Sequence, residues 1–526
     1  MIHQSSIHGV TRRRLLELGA RGALMLPLTD LNVIAGGESP ARWPRTRLGA
    51  AQARAVDPAQ FLSARQLWAW GVELDALGLR PTGSTAERAY VDALASRLER
   101  AGVQQLHFDS VPFRRWSPRR WSLAVVSSAG ASPKHVAGYV PYSGSLAPGG
   151  VSAPVVAVDP TQPLRAGSLA GKVALFDVPV IRITLGVFEA LGYKRYDPHH
   201  LAPASTPYVR DWYNNMPSAL DNLQAAGAEA AIGILDLGPG AARGLYTPYD
   251  GLIRAIPGVY VDRVVGAQLR QVAASGGEVR VELEAHVANA NGRNLLGVIP
   301  GASNELIAIN CHTDGTNGLE DNGPIAIVAI SQYLARIPRH LLPRTILVVL
   351  TTGHFAGGIG ARTFISRHRH DLVPQTAAAV TIEHLGAQEW LPNAAGELHA
   401  TGNPEPGAFF AAPNRALLDA ATAAVAQAHA APAFMIPPLY RNPHGADNYA
   451  AWPGEGSYLW KWSNSSGGVP DANYITGPTY LLNGDFKTVD KIDFTQMGRE
   501  AIAFTQMLLS LSHIAPRTLS RIDIPG

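Results

Sequence analysis

Residues 306–328 read LIAINCHTDGTNGLEDNGPIAIV. Leu306–Cys311 is an apolar run of strand length, and Gly323–Ile337 carries the apolar density of a buried helix. Between them the chain turns abruptly polar, with His312-Thr313-Asp314 directly after the strand and Leu319-Glu320-Asp321-Asn322 entering the helix. Working outward, Thr345–Thr351 and Ala377–Ile382 repeat the nearly continuous apolar strand, and Leu417–Ala431 and Phe494–Leu511 have helical patterns. Strands without polar alternation are covered on both faces. Strands alternating with helices predict an α/β fold built on a mostly parallel, twisted sheet flanked by helices.

In open α/β sheets ligands bind beyond the carboxyl ends of the strands. Here those ends carry His312, then Asp321 at the helix entrance, then Glu383 in Ile382-Glu383-His384-Leu385-Gly386. One imidazole and two carboxylates form a set that suits zinc and leaves a coordination position open. Asp314, two residues after His312, is placed to fix the imidazole's tautomer. His384 would face away from Glu383 if strand alternation continued. The alternative for each of these residues is an ordinary polar loop position.

Upstream, Ala86–Arg100 places Tyr90, Val91, Leu94, Ala95 and Leu98 at helical spacing, and Ala101-Gly102 supplies the stop. The loop Arg80-Pro81-Thr82-Gly83-Ser84 precedes it. Residues 122–290 are rich in short Val/Ala strands and Gly/Pro turns. They include a turn and strand at Leu169–Phe176, a helix ending at Gly227 before the apolar run Ala228–Asp236, and Ile256–Val261 leading into the helix Val264–Ala274. Within them 182–216 reads as an irregular, aromatic-rich insertion, either a lid or a loop. The organisation expected is therefore a leader and linker over 1–45, a first segment over 55–121, an inserted β-rich region over 122–290, and the main α/β region over 291–526.

The chain has 526 residues and one cysteine, Cys311, which excludes disulfide frameworks, Cys-rich zinc modules and iron–sulfur sites. Strand alternation puts Cys311 on the face opposite His312, as a small buried apolar residue. With 44 basic and 41 acidic residues there is no charge excess for nucleic acid. Thr11-Arg12-Arg13-Arg14-Leu15-Leu16 before a mildly apolar stretch resembles a twin-arginine export signal and predicts a periplasmic or extracellular location. Glu17 and Arg21 interrupt that stretch, so a membrane span is not expected.

The order of these motifs resembles the zinc-dependent aminopeptidase and glutamate-carboxypeptidase-like metallopeptidases, a family that also contains glutaminyl cyclases. The resemblance covers about residues 60–515 through the Gly-Ser loop at Gly83-Ser84, the H-x-D of His312-Thr313-Asp314 and the D-N of Asp321-Asn322. It also implies that 122–290 is a protease-associated domain. Two departures stand out. Where the family has two adjacent glutamates, the general base and a metal ligand, this chain has His354 and Phe355. Where the family's last ligand histidine falls, the chain has Leu481 in Tyr480-Leu481-Leu482-Asn483-Gly484-Asp485. The resemblance thus implies one divalent metal, zinc, on His312, Asp321 and Glu383, with loss of the second. His354 is then a replacement base, a fourth ligand or a residue without a role. His444 and the Trp460/Trp462 stretch are candidate pocket residues. The function expected is metal-dependent hydrolysis of an amide or related acyl bond in a peptide or small molecule. The rivals are an inactive homologue that binds a partner, and a repurposed acyl-transfer, cyclising or lyase enzyme.

Overall fold

The computed structural model describes residues 43–214, 216–436, 469–521 and 523–524. The residues read as an export signal, His444 and Trp460/Trp462 lie outside these residues. Residues 44–526 form one compact unit, and it alone is described below. No described helix is long and apolar enough to cross a membrane.

Twelve strands make up most of the main sheet: β1 Gln104–Ser127, β2 Val151–Ala157, β3 Val173–Asp177, β4 Ala230–Ile234, β5 Gly258–Val261, β6 Glu278–Ile299, β7 Ser303–His312, β8 Arg344–Thr351, β9 Thr376–Ile382, β10 Gly407–Ala411, β11 Ala433–Ile436 and β12 Asp471–Thr476. Their order is β5-β4-β3-β2-β6-β8-β7-β9-β12-β10-β11, with β1 paired to β6. The centre, β8-β7-β9-β12, is parallel. Every residue of β7 from Leu306 to His312 is buried, as is all of β9 except Ala377. That two-sided burial is why these segments read as unbroken apolar runs. The α/β fold expected from the sequence is the one observed.

Four helices matter for the site: α1 Ala64–Leu77, α2 Thr85–Ala101, α3 Gly323–Leu334 and α4 Phe494–Ser512. Ser84 caps α2 by accepting from the Glu87 N–H at 3.1 Å, and Gly102 ends it in the left-handed conformation at φ 97°. Tyr90, Val91, Leu94 and Leu98 form its buried stripe. All twelve residues of α3 are buried, because it packs against α1, α2 and α4 as well as β7.

The β-rich region rests on the long antiparallel ribbon β1/β6, whose register runs from Gln104 with Val298 to Val126 with Glu278. One end of β6 pairs with β8, and the other pairs with β2. Strands β2 to β5 are mutually parallel. They enclose a core of Val155, Leu175, Ile232, Val259, Leu269 and Val281. Positions 122 and 290 both fall inside the ribbon strands, so the backbone crosses them without a linker. The described residues of the 182–216 segment form regular elements. Val180–Thr184 pairs with Pro207–Asn214, Leu185–Leu191 is helical, and Lys194–Tyr196 extends the sheet edge against Ala433–Met435 of β11. Between these elements Arg210, 1% exposed, forms a buried ion pair with Glu405 at 2.9 Å. The insertion is part of the fabric of the sheet.

Candidate metal centre

His312 is the last residue of β7, and its side chain is fully buried. Its Nδ1 lies 2.7 Å from the main-chain oxygen of Asp314. A carbonyl can only accept, so Nδ1 carries the proton and Nε2 presents a lone pair. The tautomer is thus fixed by the Asp314 backbone and not by its carboxylate. That carboxylate accepts from the main-chain N–H of His354 at 3.1 Å and Phe355 at 2.9 Å, and from Thr82 Oγ1 at 2.6 Å. Asp314 therefore locks the turn after β8 that carries His354 and Phe355.

That turn places His354 beside His312, the rings stacked with centroids 4.2 Å apart and planes 16° from parallel. Tyr249 also stacks with His354, at 5.6 Å between ring centroids. Burial lowers the His354 pKa, against the opposing charges of Glu383 and Asp314, so the ring is neutral near pH 7. Phe355 is 1% exposed and packs on Tyr246 and Tyr249. Aromatic carbon fills that position, which offers nothing to a metal. Leu481 is also buried. Its main-chain oxygen accepts from Thr316 Oγ1 at 2.6 Å and Asn317 Nδ2 at 3.0 Å, so the loop reaches the site but brings an aliphatic side chain.

Asp321 is engaged by Arg80. Both its oxygens are taken by the guanidinium of Arg80, through Nε at 3.0 Å and through a second contact from NH2 to Oδ1. Both residues have zero exposure. Arg80 is further held by the main-chain oxygens of Asn317 at 2.6 Å and of Gly78. Burial works against the guanidinium's charge, but Asp321 outweighs it and raises its pKa. A carboxylate in a bidentate pair with a permanent cation is a poor ligand for a second cation. Of the set His312, Asp321, Glu383 expected from the sequence, His312 and Glu383 share a cluster, and Asp321 is held by Arg80.

Two residues outside that set are assembled with His312. His384 and Glu320 each bring a ligand atom within 4.8 Å of the other and of His312. His312 Nε2 lies 3.6 Å and His384 Nε2 3.7 Å from Glu320 Oε1. His384 Nδ1 donates to the Thr476 main-chain oxygen at 2.6 Å, so its Nε2 also presents a lone pair. His312 Nε2, His384 Nε2 and Glu320 Oε2 are all buried and make no hydrogen bond. Burial pushes the His384 pKa down to about 3. It pushes Glu320 well above the carboxylate range, reinforced by Asp321, Glu383 and Asp314. His384 escapes the alternation argument because β9 stops at Ile382 and His384 has φ 55°. Asn322 holds this turn by accepting from Leu385 N at 2.8 Å and donating to its oxygen at 2.9 Å. Glu383 stays close, since Cys311, His312 and Glu383 also bring three ligand atoms within 4.8 Å. Cys311 is reduced and buried, as expected.

No protein-family model and no curated protein matches the chain. Solved structures do. A peptidase M28 precursor from Shewanella amazonensis superposes with TM-score 0.61 at 17% identity, covering 88% of this chain and 95% of its own. The zinc aminopeptidase BSAP from Bacillus subtilis gives 0.58 at 13% identity, covering 85% and 94%. An aminopeptidase from Aneurinibacillus sp. gives 0.52 at 14%, covering 88% and 95%. The fold is that of the zinc aminopeptidases. The likeness spans nearly the full length of those chains.

Proposed function

We propose that this chain is a metal-dependent hydrolase of amide or related acyl bonds that works with a single divalent ion, zinc, anchored at His312. One observation carries the reading. On a zinc-aminopeptidase fold, His312 at the end of a central strand is held in the tautomer that offers Nε2 to a metal, amid buried carboxylates. Phe355 and Leu481 are the residues that remove a second ion from the reading. An ion at this place would supply Lewis acidity toward an acyl oxygen.

The chain's own groups do the rest. His354 is neutral, fixed by the capped turn and stacked on His312, and it is the residue positioned to take and return a proton at an imidazole nitrogen. Asp314 sets its position through the backbone. Buried aromatic side chains at Phe355 and Tyr246 keep water from that flank. The assignment of 122–290 to a protease-associated module and of Arg12–Arg14 to twin-arginine export belong to the same proposal.

The rival is a binding protein without turnover, favoured by the Arg80–Asp321 pair, which neutralises a carboxylate that a catalytic metal would use. A panel of aminoacyl anilides, acyl amides and esters, assayed before and after chelation, separates the two. Turnover that chelation abolishes and zinc restores is expected. No turnover of any substrate by the zinc-loaded protein, or turnover indifferent to chelation, defeats the hydrolase reading.

A further inference from the structure

The ion's ligands follow from three buried atoms that face one another. We infer that the metal site of this chain is formed by His312 Nε2, Glu320 and His384 Nε2, a two-histidine, one-carboxylate set that replaces the aspartate-centred set read from the sequence. The inference rests on the proposed metal dependence and specifies its ligands.

Three arguments converge. The first is hydrogen bonding. His312 Nε2, His384 Nε2 and Glu320 Oε2, each on a residue at most 2% exposed, are buried without a hydrogen bond, and the other oxygen of the same carboxylate, Oε1, is the one that faces both imidazoles. Buried polar atoms without a partner cost on the order of 1–3 kcal/mol each, and once a bound cation draws the proton off Glu320 all three are acceptors. A cation satisfies all of them at once, whereas a water has only two protons to give. The second is distance. Metal bonds near 2.1 Å in tetrahedral geometry set ligands about 3.4 Å apart, and the two nitrogen–oxygen separations are 3.6 and 3.7 Å. The third is orientation. Both imidazoles donate Nδ1–H to main-chain carbonyls, at 2.7 Å to Asp314 and 2.6 Å to Thr476. This is the outer bonding that fixes and strengthens a histidine ligand. Donor type agrees, because two imidazoles and one carboxylate suit zinc or ferrous iron and not calcium or magnesium.

Asp321 explains why the set moved by one residue. With Asp321 turned onto Arg80, the neighbouring Glu320 is the carboxylate left to face His312. His384, on the turn that Asn322 clamps, closes the third side.

The test is zinc stoichiometry of the full chain after dialysis, with a cobalt-substituted spectrum as second readout. Wild type, Glu320→Gln, His384→Gln and Asp321→Asn are compared, and folding is checked by circular dichroism. The expected result is one zinc in wild type and in Asp321→Asn, near zero in Glu320→Gln and His384→Gln, and loss of the tetrahedral cobalt bands in those two. Glu320→Gln is nearly isosteric and carries the test should His384→Gln fail to fold. Retention of zinc by Glu320→Gln with loss in Asp321→Asn would overturn the assignment while leaving metal-dependent hydrolysis standing. A wild type that binds no zinc or cobalt would overturn both.

Discussion

Replacing Arg80 by Met tests how the site has been rebuilt. The change removes the guanidinium, keeps most of the apolar stem, and leaves the Asp321 carboxylate in place with zero exposure. Breaking a buried pair by deleting one partner costs about 3–5 kcal/mol, because the surviving charge is stranded. The Asn317 and Gly78 carbonyls also lose a donor, so the upper part of that range is expected. Replacing both members, as Arg80→Met with Asp321→Leu, removes the stranded charge, and apolar replacement of a buried pair is often near neutral. The double variant should therefore recover at least about 2 kcal/mol of the single variant's loss, a coupling typical of direct contact. Urea unfolding of wild type, both singles and the double, each stripped of metal, gives the cycle. A cost below about 1 kcal/mol for Arg80→Met, or a double variant no better than the single, would refute the pairing and return Asp321 to the pool of ligands.

Three further outcomes follow from particular side chains. His354→Ala should lower kcat by about 10²–10⁴-fold, the span of general-base assistance, with zinc content unchanged; loss of zinc would make His354 a ligand. Phe355→Ala should destabilise the fold by about 3–5 kcal/mol, read as a lower urea midpoint; a neutral result would mean the position is solvated and open to a second ion. Burial beside Asp314 raises the Glu87 pKa to about 8. The folded state therefore binds a proton that the unfolded state releases near its ordinary 4.5, and stability should fall as pH rises between those values. Glu87→Gln should flatten this slope in unfolding curves taken across pH 5–8, and superimposable slopes would contradict it.

What the sequence disclosed and what it hid have physical causes. β7, β8, β9 and α2 were legible because two-sided burial writes itself as apolar runs and because Ser84 and Gly102 mark helix ends chemically. Asp321's fate was not legible, since its partner Arg80 lies 241 residues away and only the fold joins them. Which of the adjacent carboxylates Glu320 and Asp321 faces His312 is decided by the turn before α3, and residue type carries no trace of that. His384 was hidden by a rule carried past its range: alternation ends with β9 at Ile382, two residues earlier. The 182–216 segment looked irregular because its edge strand is three residues long and pairs with residues more than two hundred positions later.

The number of metal ions is the quantity on which everything above depends. Purified protein should be loaded with zinc, dialysed free of excess and analysed for metal per chain, with unfolding followed before and after chelation. One zinc per chain is predicted, and chelation should lower the unfolding midpoint, since a ligand at 1,000 times its Kd adds about 4 kcal/mol to the folded state. Two ions would show that a second half-site operates despite Phe355 and Leu481, and none would show that the cluster of His312, Glu320 and His384 is not a metal centre.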